Sequence, residues 1–571
     1  MGTGTRRRTH DRTRTFMSAR RRLWMTALFA ATGALAASCT TAPAAHVAAA
    51  TGGRPTVTAA PASSPPPKIV PDPAHIRALS TMLHHIAVPA SLSGPLPKFA
   101  PRLQDLVDYD VGKLWSAGID GTGTTIAVVE GWDDPSLAQV THQIDSSVGL
   151  PDPVIQTIYP TGNGRLPAQC PAGMKALGTY GSCDAWAGEA ELDIVSAHVI
   201  APYAKILVVV APPDSDGDDD VASQVAPPEM MQALEYVAEH HLADAVSISD
   251  GTGESTYSHG AADVTAQDPG ELAAAAAGIP VTVGTGDCGV VQALPDSAVQ
   301  CGDVSATPQT AAWDDSPWVT AVGGSLPGFS TESVRTGPDT VWPFEGAGSS
   351  AIYSRPAYQD GVVTGAMRQV PDITMDAASG TSQSAPLLAG VLALAAQANG
   401  GPVGPINDAL YRVLGPRGAA DGVTDIVVGN NSVPRHPGFS ARAGFDEATG
   451  WGTLDAALFV PALVAAVRAQ HGPDAPSARA AAALSNLEHG ARLTPAGVQS
   501  GATTQLSASG FLPGHPVVLQ IDGHPVATLT ADATGRVAYT LDPAALGLRA
   551  GTHSLSLHGM LLTQQTKFSS R

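Results

Sequence analysis

Positive charge is scarce in this chain. Lys and Arg number 31 against 51 Asp and Glu in 571 residues, for a net charge of −20. That balance argues against a nucleic-acid partner, because phosphates are held by cationic surfaces. Charged residues of both signs reach only 14%, while Gly and Pro number 60 and 47. Such a small-residue, loop-rich chain is not a helical bundle. Long hydrophobic runs are also missing. The longest, Leu23 to Ala37, follows Arg20, Arg21 and Arg22. It falls short of the roughly 20 residues that a spanning helix needs, so it reads as an export signal. No other segment could cross a bilayer.

Cysteine is sparse too, with five in all. Cys39 closes Leu35-Ala36-Ala37-Ser38-Cys39, which is similar to a lipoprotein cleavage box, with Ala36 where a larger aliphatic residue is usual. Residues 1–39 are therefore expected to be a signal peptide, with Cys39 a candidate for lipidation. The remaining four form two close pairs, Cys170–Cys183 and Cys288–Cys301, which suit disulfides in an oxidising exterior.

Residues 40–104 are read as a tether rich in Ala, Pro, Ser and Thr, ending in a short amphipathic piece around Ile76, Leu79, Leu83 and Ile86. From 105 to 465, apolar strands alternate with helical patterns. The strands are Thr124–Val129, Ala204–Val210, Ala245–Ser249, Pro280–Val283 and Val319–Gly324. The helices are Ala190–Val199, Pro228–His240, Glu271–Ala277 and a buried one from Leu387 to Ala396. This alternation predicts an α/β fold, a parallel sheet covered by helices on both faces. Residues 466–490, rich in Ala, read as a linker or exposed helix. Beyond them the period changes to two, and short strands at 517–521, 527–530, 537–540 and 553–557 predict a small Ig-like β-sandwich over 491–571.

Three local patterns carry chemistry. Gly380-Thr381-Ser382-Gln383-Ser384-Ala385-Pro386 puts a serine at the start of the buried helix, where a nucleophile gains from fixed geometry and the positive helix end; the plainer alternative is a helix cap. Glu189 and Asp193 lie four apart, hence on one helical face. Asp287 sits in Gly284-Thr285-Gly286-Asp287-Cys288-Gly289, directly after a strand, at the edge where parallel sheets place function.

Taken together and in order, Glu-x-x-x-Asp, Gly-Asp-x-Gly and Gly-Thr-Ser-x-Ser-x-Pro resemble the sedolisin family of serine-carboxyl peptidases, which has a subtilisin-like fold. The resemblance covers roughly residues 105–460. It extends through Ser316–Gly324, Tyr353–Gln359 and Val370-Pro371-Asp372-Ile373. It implies Ser382 as nucleophile, Glu189 as general base, Asp193 as the group that orients and tunes Glu189, and Asp287 as oxyanion donor. A carboxylate serves as base when a neighbouring acid raises its affinity for the proton, so activity on peptides or unfolded proteins is expected to peak in acid. Glu130, at the end of the first strand, is expected to hydrogen-bond Glu189, with Asp250 close by. The resemblance also implies one Ca2+ ion held by Asp425 and Asp446 with the carbonyls of Ile426, Arg442 and Gly444. Arg442 stands where the family usually has glycine.

Two departures accompany the likeness. Residues 40–104 are short for a family propeptide, and only Asp376-Ala377-Ala378-Ser379 separates the Pro-Asp-Ile segment from Gly380, where the family usually inserts a loop. Two other readings stay open. A subtilisin-type Ser-His-Asp peptidase would draw on His198 or His259. A decayed peptidase scaffold would act as a surface binding protein. The expected location is secreted or on the outer face of the membrane, with membrane contact only through a lipid on Cys39.

Overall fold

The computed structural model describes residues 109–161, 164, 170, 182–212, 225–295, 301–328, 337–499 and 501–571. The export signal, Cys39 and the tether lie outside the described residues.

The apolar runs become a twisted sheet. Its strands are β1 (Thr125–Glu130), β2 (Ile155–Ile158), β3 (Lys205–Val210), β4 (Ala245–Ile248), β5 (Val281–Gly284), β6 (Thr320–Leu326), β7 (Thr340–Val341) and, after the hairpin of β8 (Gly348–Ser354) with β9 (Met367–Val370), β10 (Ile373–Asp376). The order is β10-β6-β5-β4-β1-β3-β2, with β7 added beside β6. Every neighbour along that path is parallel, and only β7 runs against its partner. In β1, Ile126 and Val128 face one core while Ala127 and Val129 face the other. Burial on both faces is why these strands read as continuous apolar runs and not as alternating ones.

Helices α1 (Leu137–Val148) and α2 (Cys183–Ile200) precede β3, α3 (Pro228–Glu239) precedes β4, and α4 (Asp268–Ala276) precedes β5. The central helix α5 (Thr381–Asn399) follows β10, and α6 (Ala456–Arg468) packs on it. Helices α2, α5 and α6 share the first core, α3 and α4 the second. From Ala385 to Ala396, α5 has apolar side chains almost wholly removed from water. Each buried Leu or Val there contributes about 1.5–3 kcal/mol relative to exposure. This anchors the end of the helix that carries Ser382.

Of the two readings of residues 466–490, linker or exposed helix, the structure has the helix. It is α7 (Pro476–Glu488), whose Ala480 packs against Leu272 and Ala275 of α4. The C-terminal strands form two sheets, one of three strands and one of five, over a common core that includes Leu506, Phe511, Leu519, Leu557 and Phe568. Leu561 of this region joins the core under α3. Among the described residues, no helix is long and apolar enough to cross a membrane.

Candidate active site

The site forms at the carboxyl ends of β1, β4 and β5, where the strand order changes direction around β1. Gly131 follows β1, and a Cβ on it would lie 2.5 Å from the Trp186 ring. The absence of a side chain lets that ring pack on the backbone and draws the start of α2 across the strand end. Ser182 caps α2 by accepting from the Ala185 N–H at 3.2 Å. Glu189 and Asp193 then stand one turn apart.

Ser382 is the second residue of α5. It does not cap the helix; the cap position is Gly380, at φ 94°, with no side-chain cap bond. Instead the Ser382 hydroxyl hydrogen-bonds the Glu189 carboxyl. Burial lifts Glu189 to about 7; the bond from Ser382 pulls it down and the charge of Asp287 pushes it further up. Burial raises Asp193 well above the usual carboxylate range, reinforced by Glu189 and opposed by Ser249, whose Oγ donates to Asp193 Oδ2 at 2.8 Å. One helix face therefore presents two coupled acids against one hydroxyl.

Asp287 is fixed by Thr381. The Thr381 N–H and Oγ1–H both donate to Asp287 Oδ1, at 2.8 and 2.9 Å, and Thr381 Oγ1 accepts from the Gly286 N–H at 3.0 Å. The Cys288–Cys301 disulfide is formed beside it, and Cys170–Cys183 at the start of α2. An open cleft runs between the segment Ser249–Thr252 and the turn around Asp287, and Thr381 and Ser382 line it.

Glu130 and Asp250 extend the acidic cluster, but not as a hydrogen-bonded chain. Glu130 is 1% exposed, and neither carboxyl oxygen has a hydrogen-bond partner among the described residues. The bond expected between Glu130 and Glu189 is therefore not made. Burial raises Glu130 well above the usual range, with Asp193, Glu189, Asp250 and Asp133 adding to it. Asp250 is raised mainly by burial, with its Oδ2 unpartnered. Two residues the sequence reading did not assign, Thr381 and Ser249, hold the acids in place. Thr381 was visible inside the Gly-Thr-Ser motif; Ser249 carried only the signal of a polar residue ending an apolar strand.

The histidines weighed for a Ser-His-Asp arrangement lie elsewhere. His198 is fully buried against Asp145 at 3.2 Å, and His259 pairs with Asp263 at 3.1 Å. No histidine is among the residues lining the cleft.

The second cluster of acids forms a loop pair. Asp446 Oδ1 accepts from the N–H groups of Ala448 and Thr449 and the Thr449 hydroxyl, and Oδ2 from the Arg442 N–H at 2.7 Å. Asp425 Oδ2 accepts from the Gly444 N–H at 2.8 Å. The Arg442 guanidinium pairs with Glu447 at 2.6 Å, so its charge has a partner outside the carboxylate pair. No group of three or more Asp, Glu, His or Cys side chains suited to a metal converges among the described residues. Two carboxylates with carbonyls of Ile426, Arg442 and Gly444 are nonetheless a donor set of hard oxygens.

No family model matches the chain. Against characterised proteins, it is 28% identical to kumamolisin of Bacillus sp. (strain MN-32) over 389 residues, 62% of each chain. It is 26% identical to sedolisin of Pseudomonas sp. (strain 101) over 379 residues, 60% of this chain and 58% of that one. It is 24% identical to xanthomonalisin of Xanthomonas sp. (strain T-22), covering 65% of this chain and 48% of that one. The chain thus spans between about half and three-fifths of the length of these relatives. In fold it is similar to Pseudomonas sedolisin, a serine-carboxyl proteinase, with a TM-score of 0.50 at 24% identity over 61% of this chain and 94% of that one. With a helix-borne serine hydrogen-bonded to glutamate, an aspartate one turn on, and these likenesses over the same α/β region, the chain is similar in sequence and fold to members of the sedolisin family.

Proposed function

We propose that this protein is a serine-carboxyl endopeptidase that hydrolyses peptide bonds of peptides or unfolded proteins on the acid side of neutrality. The observation that carries the reading is the hydrogen bond between Glu189 and Ser382, which lines an open cleft. As Ser382 Oγ attacks the peptide carbonyl carbon, its proton passes to the Glu189 carboxylate and the C=O electron pair moves onto oxygen. A proton carried by Asp287 stabilises that oxyanion, a contribution typically worth about 3 kcal/mol. Collapse breaks the C–N bond, and Glu189 returns the proton to the leaving nitrogen. Water then repeats the cycle on the acyl-enzyme.

Burial raises both acids of the pair, and Glu189 is the one bonded to the Ser382 hydroxyl, so Glu189 is assigned the base and Asp193 the acid that tunes it. The rate requires Glu189 ionised and Asp287 protonated; the bond from Ser382, and removal of the Asp287 charge when that acid carries its proton, both favour an ionised Glu189 on the acid side. The test is digestion of a denatured protein from about pH 3 to 8 by the wild type and Ser382→Ala. Activity that survives the substitution, or peaks above pH ~8, removes the mechanism.

One Ca2+ ion held at Asp425, Asp446 and the carbonyls of Ile426, Arg442 and Gly444 would tie the two loops together. Bound there, the ion supplies stability and not chemistry, since the serine, glutamate and aspartates above account for each proton. A melting temperature that chelation leaves unchanged, with calorimetry showing no uptake of added Ca2+, rules it out. The basic start and the Cys39 box support export to the cell exterior, with membrane contact only through a lipid on Cys39.

A further inference from the structure

Helix α5 has a defect directly beside the nucleophile. Pro386 has no N–H, so the carbonyl of Ser382, four residues earlier, lacks its helical donor. Ser249, at the end of β4, reaches that carbonyl from the next element of the fold. Its Oγ lies 3.2 Å from Ser382 O and 2.8 Å from Asp193 Oδ2. A hydroxyl has one hydrogen and cannot donate to both.

Resting on the peptidase reading above, we propose that Ser249 is a positioning residue whose hydroxyl anchors the backbone of the nucleophile when Asp193 is protonated and releases it when Asp193 ionises. With the proton on Asp193, the carboxyl O–H donates to Ser249 Oγ, and Ser249 O–H donates to Ser382 O. When Asp193 loses that proton, the charged oxygens are the stronger acceptor and take the Ser249 hydrogen. Ser382 O is then left with neither a helical nor a side-chain donor.

The groups that set the proton on Asp193 come from each surrounding element. Glu189 faces it from its own helix and Glu130 from the end of β1, while Asp250 acts on Glu189 and Glu130 from the loop after β4. Asp287 acts on Glu189 from the turn after β5. All are acids, so each favours retention of the Asp193 proton and keeps the anchor in place through the acid range.

The experiment compares kcat and KM across about pH 3 to 8 for the wild-type chain, Ser249→Ala, Ser249→Thr, Pro386→Ala and the double variant Ser249→Ala/Pro386→Ala. Ser249→Ala is expected to lower kcat about tenfold in acid with little change in KM, because displacement of a nucleophile costs rate and not binding. The deficit should shrink toward the alkaline limb, where the wild type has already released the anchor. Ser249→Thr keeps the hydroxyl and should recover most of the loss. Pro386→Ala restores an N–H opposite Ser382 O, and should rescue the Ser249→Ala background. A deficit equal at every pH and not relieved by Pro386→Ala overturns the proposal, as does a Ser249→Ala profile identical to wild type. If Ser249→Ala does not fold, Pro386→Ala alone decides: its alkaline limb must extend to higher pH, and an unchanged limb overturns the proposal. Wild type without Ser382-dependent activity is the separate failure of the peptidase reading.

Discussion

Gly380 and Asp287 are mutually exclusive with any side chain between them: a Cβ on Gly380 would lie 2.4 Å from Asp287 Oδ2. Gly380 also sits at φ 94°, where other residues are strained. Gly380→Ala should therefore displace the Asp287 carboxyl and cost about 1–3 kcal/mol of stability. We expect kcat/KM to fall at least about tenfold, in line with loss of one oxyanion donor. Normal kinetics in a folded Gly380→Ala protein would separate Asp287 from the reaction.

Stability should fall as pH rises. Folded Glu189 and Asp268 hold their protons to about 7, each because of burial. Glu130, Asp193, Asp250, Glu271, Asp314, Asp315 and Glu345 are also raised well above the usual range, burial again leading. Unfolded carboxyls titrate near 4. Above that value the unfolded chain binds fewer protons than the folded one, so the contribution is full below about pH 4 and is lost through about pH 7. The lowered groups Asp134, Asp522 and Asp532 act the other way, but they are fewer and largely exposed to solvent. Thermal melts should show Tm dropping by more than about 5 °C between pH 4 and 8. A Tm that rises over this range would mean these acids are not buried as described.

The Cys288–Cys301 bridge closes a loop whose ends are 13 residues apart, and Cys288 adjoins Asp287. Replacing both with Ser should cost about 3 kcal/mol through the freed unfolded chain. It should also lower kcat, since the turn holding Asp287 loses its tie. Denaturant unfolding and single-substrate kinetics check the two effects separately.

The strand ends are locked by a buried ion pair. Arg368 Nη1 and Nη2 meet Asp372 Oδ1 and Oδ2 at 2.8 and 2.6 Å, and Asp372 also accepts from Tyr411 Oη, the Ala321 N–H and Asn407. Asp372→Ala strands the guanidinium and should cost about 3–5 kcal/mol. Replacing both partners by Met and Leu should recover much of that loss, because no buried charge then remains unpaired. Urea midpoints of the two single variants and the double variant provide the comparison.

Much of the frame was legible without coordinates. Within the runs Thr124–Val129 and Ala204–Val210, the stretches Ile126–Val129 and Ile206–Val210 are apolar without a break, as a strand buried on both faces requires, and the two strands pair in parallel. Glu189 and Asp193 share a face because a helix turns once in about four residues. The two cysteine pairs are each close in sequence, so few alternatives compete. The short Ala-rich stretch at 466–490 was harder, because small residues suit a linker and a tightly packed helix equally.

What local sequence determined, then, was the periodicity of each element and the motif each one carries. Only tertiary structure decided which polar atoms face one another. Ser249 meets Ser382 O across 133 positions of chain, and Glu130 is enclosed beside Asp193 without a bond to it. Arg442 is likewise paired with Glu447. Hydrogen bonds between side chains depend on angles and distances of tenths of an ångström. Those are fixed by how separate elements pack, and periodicity within one element carries no record of them.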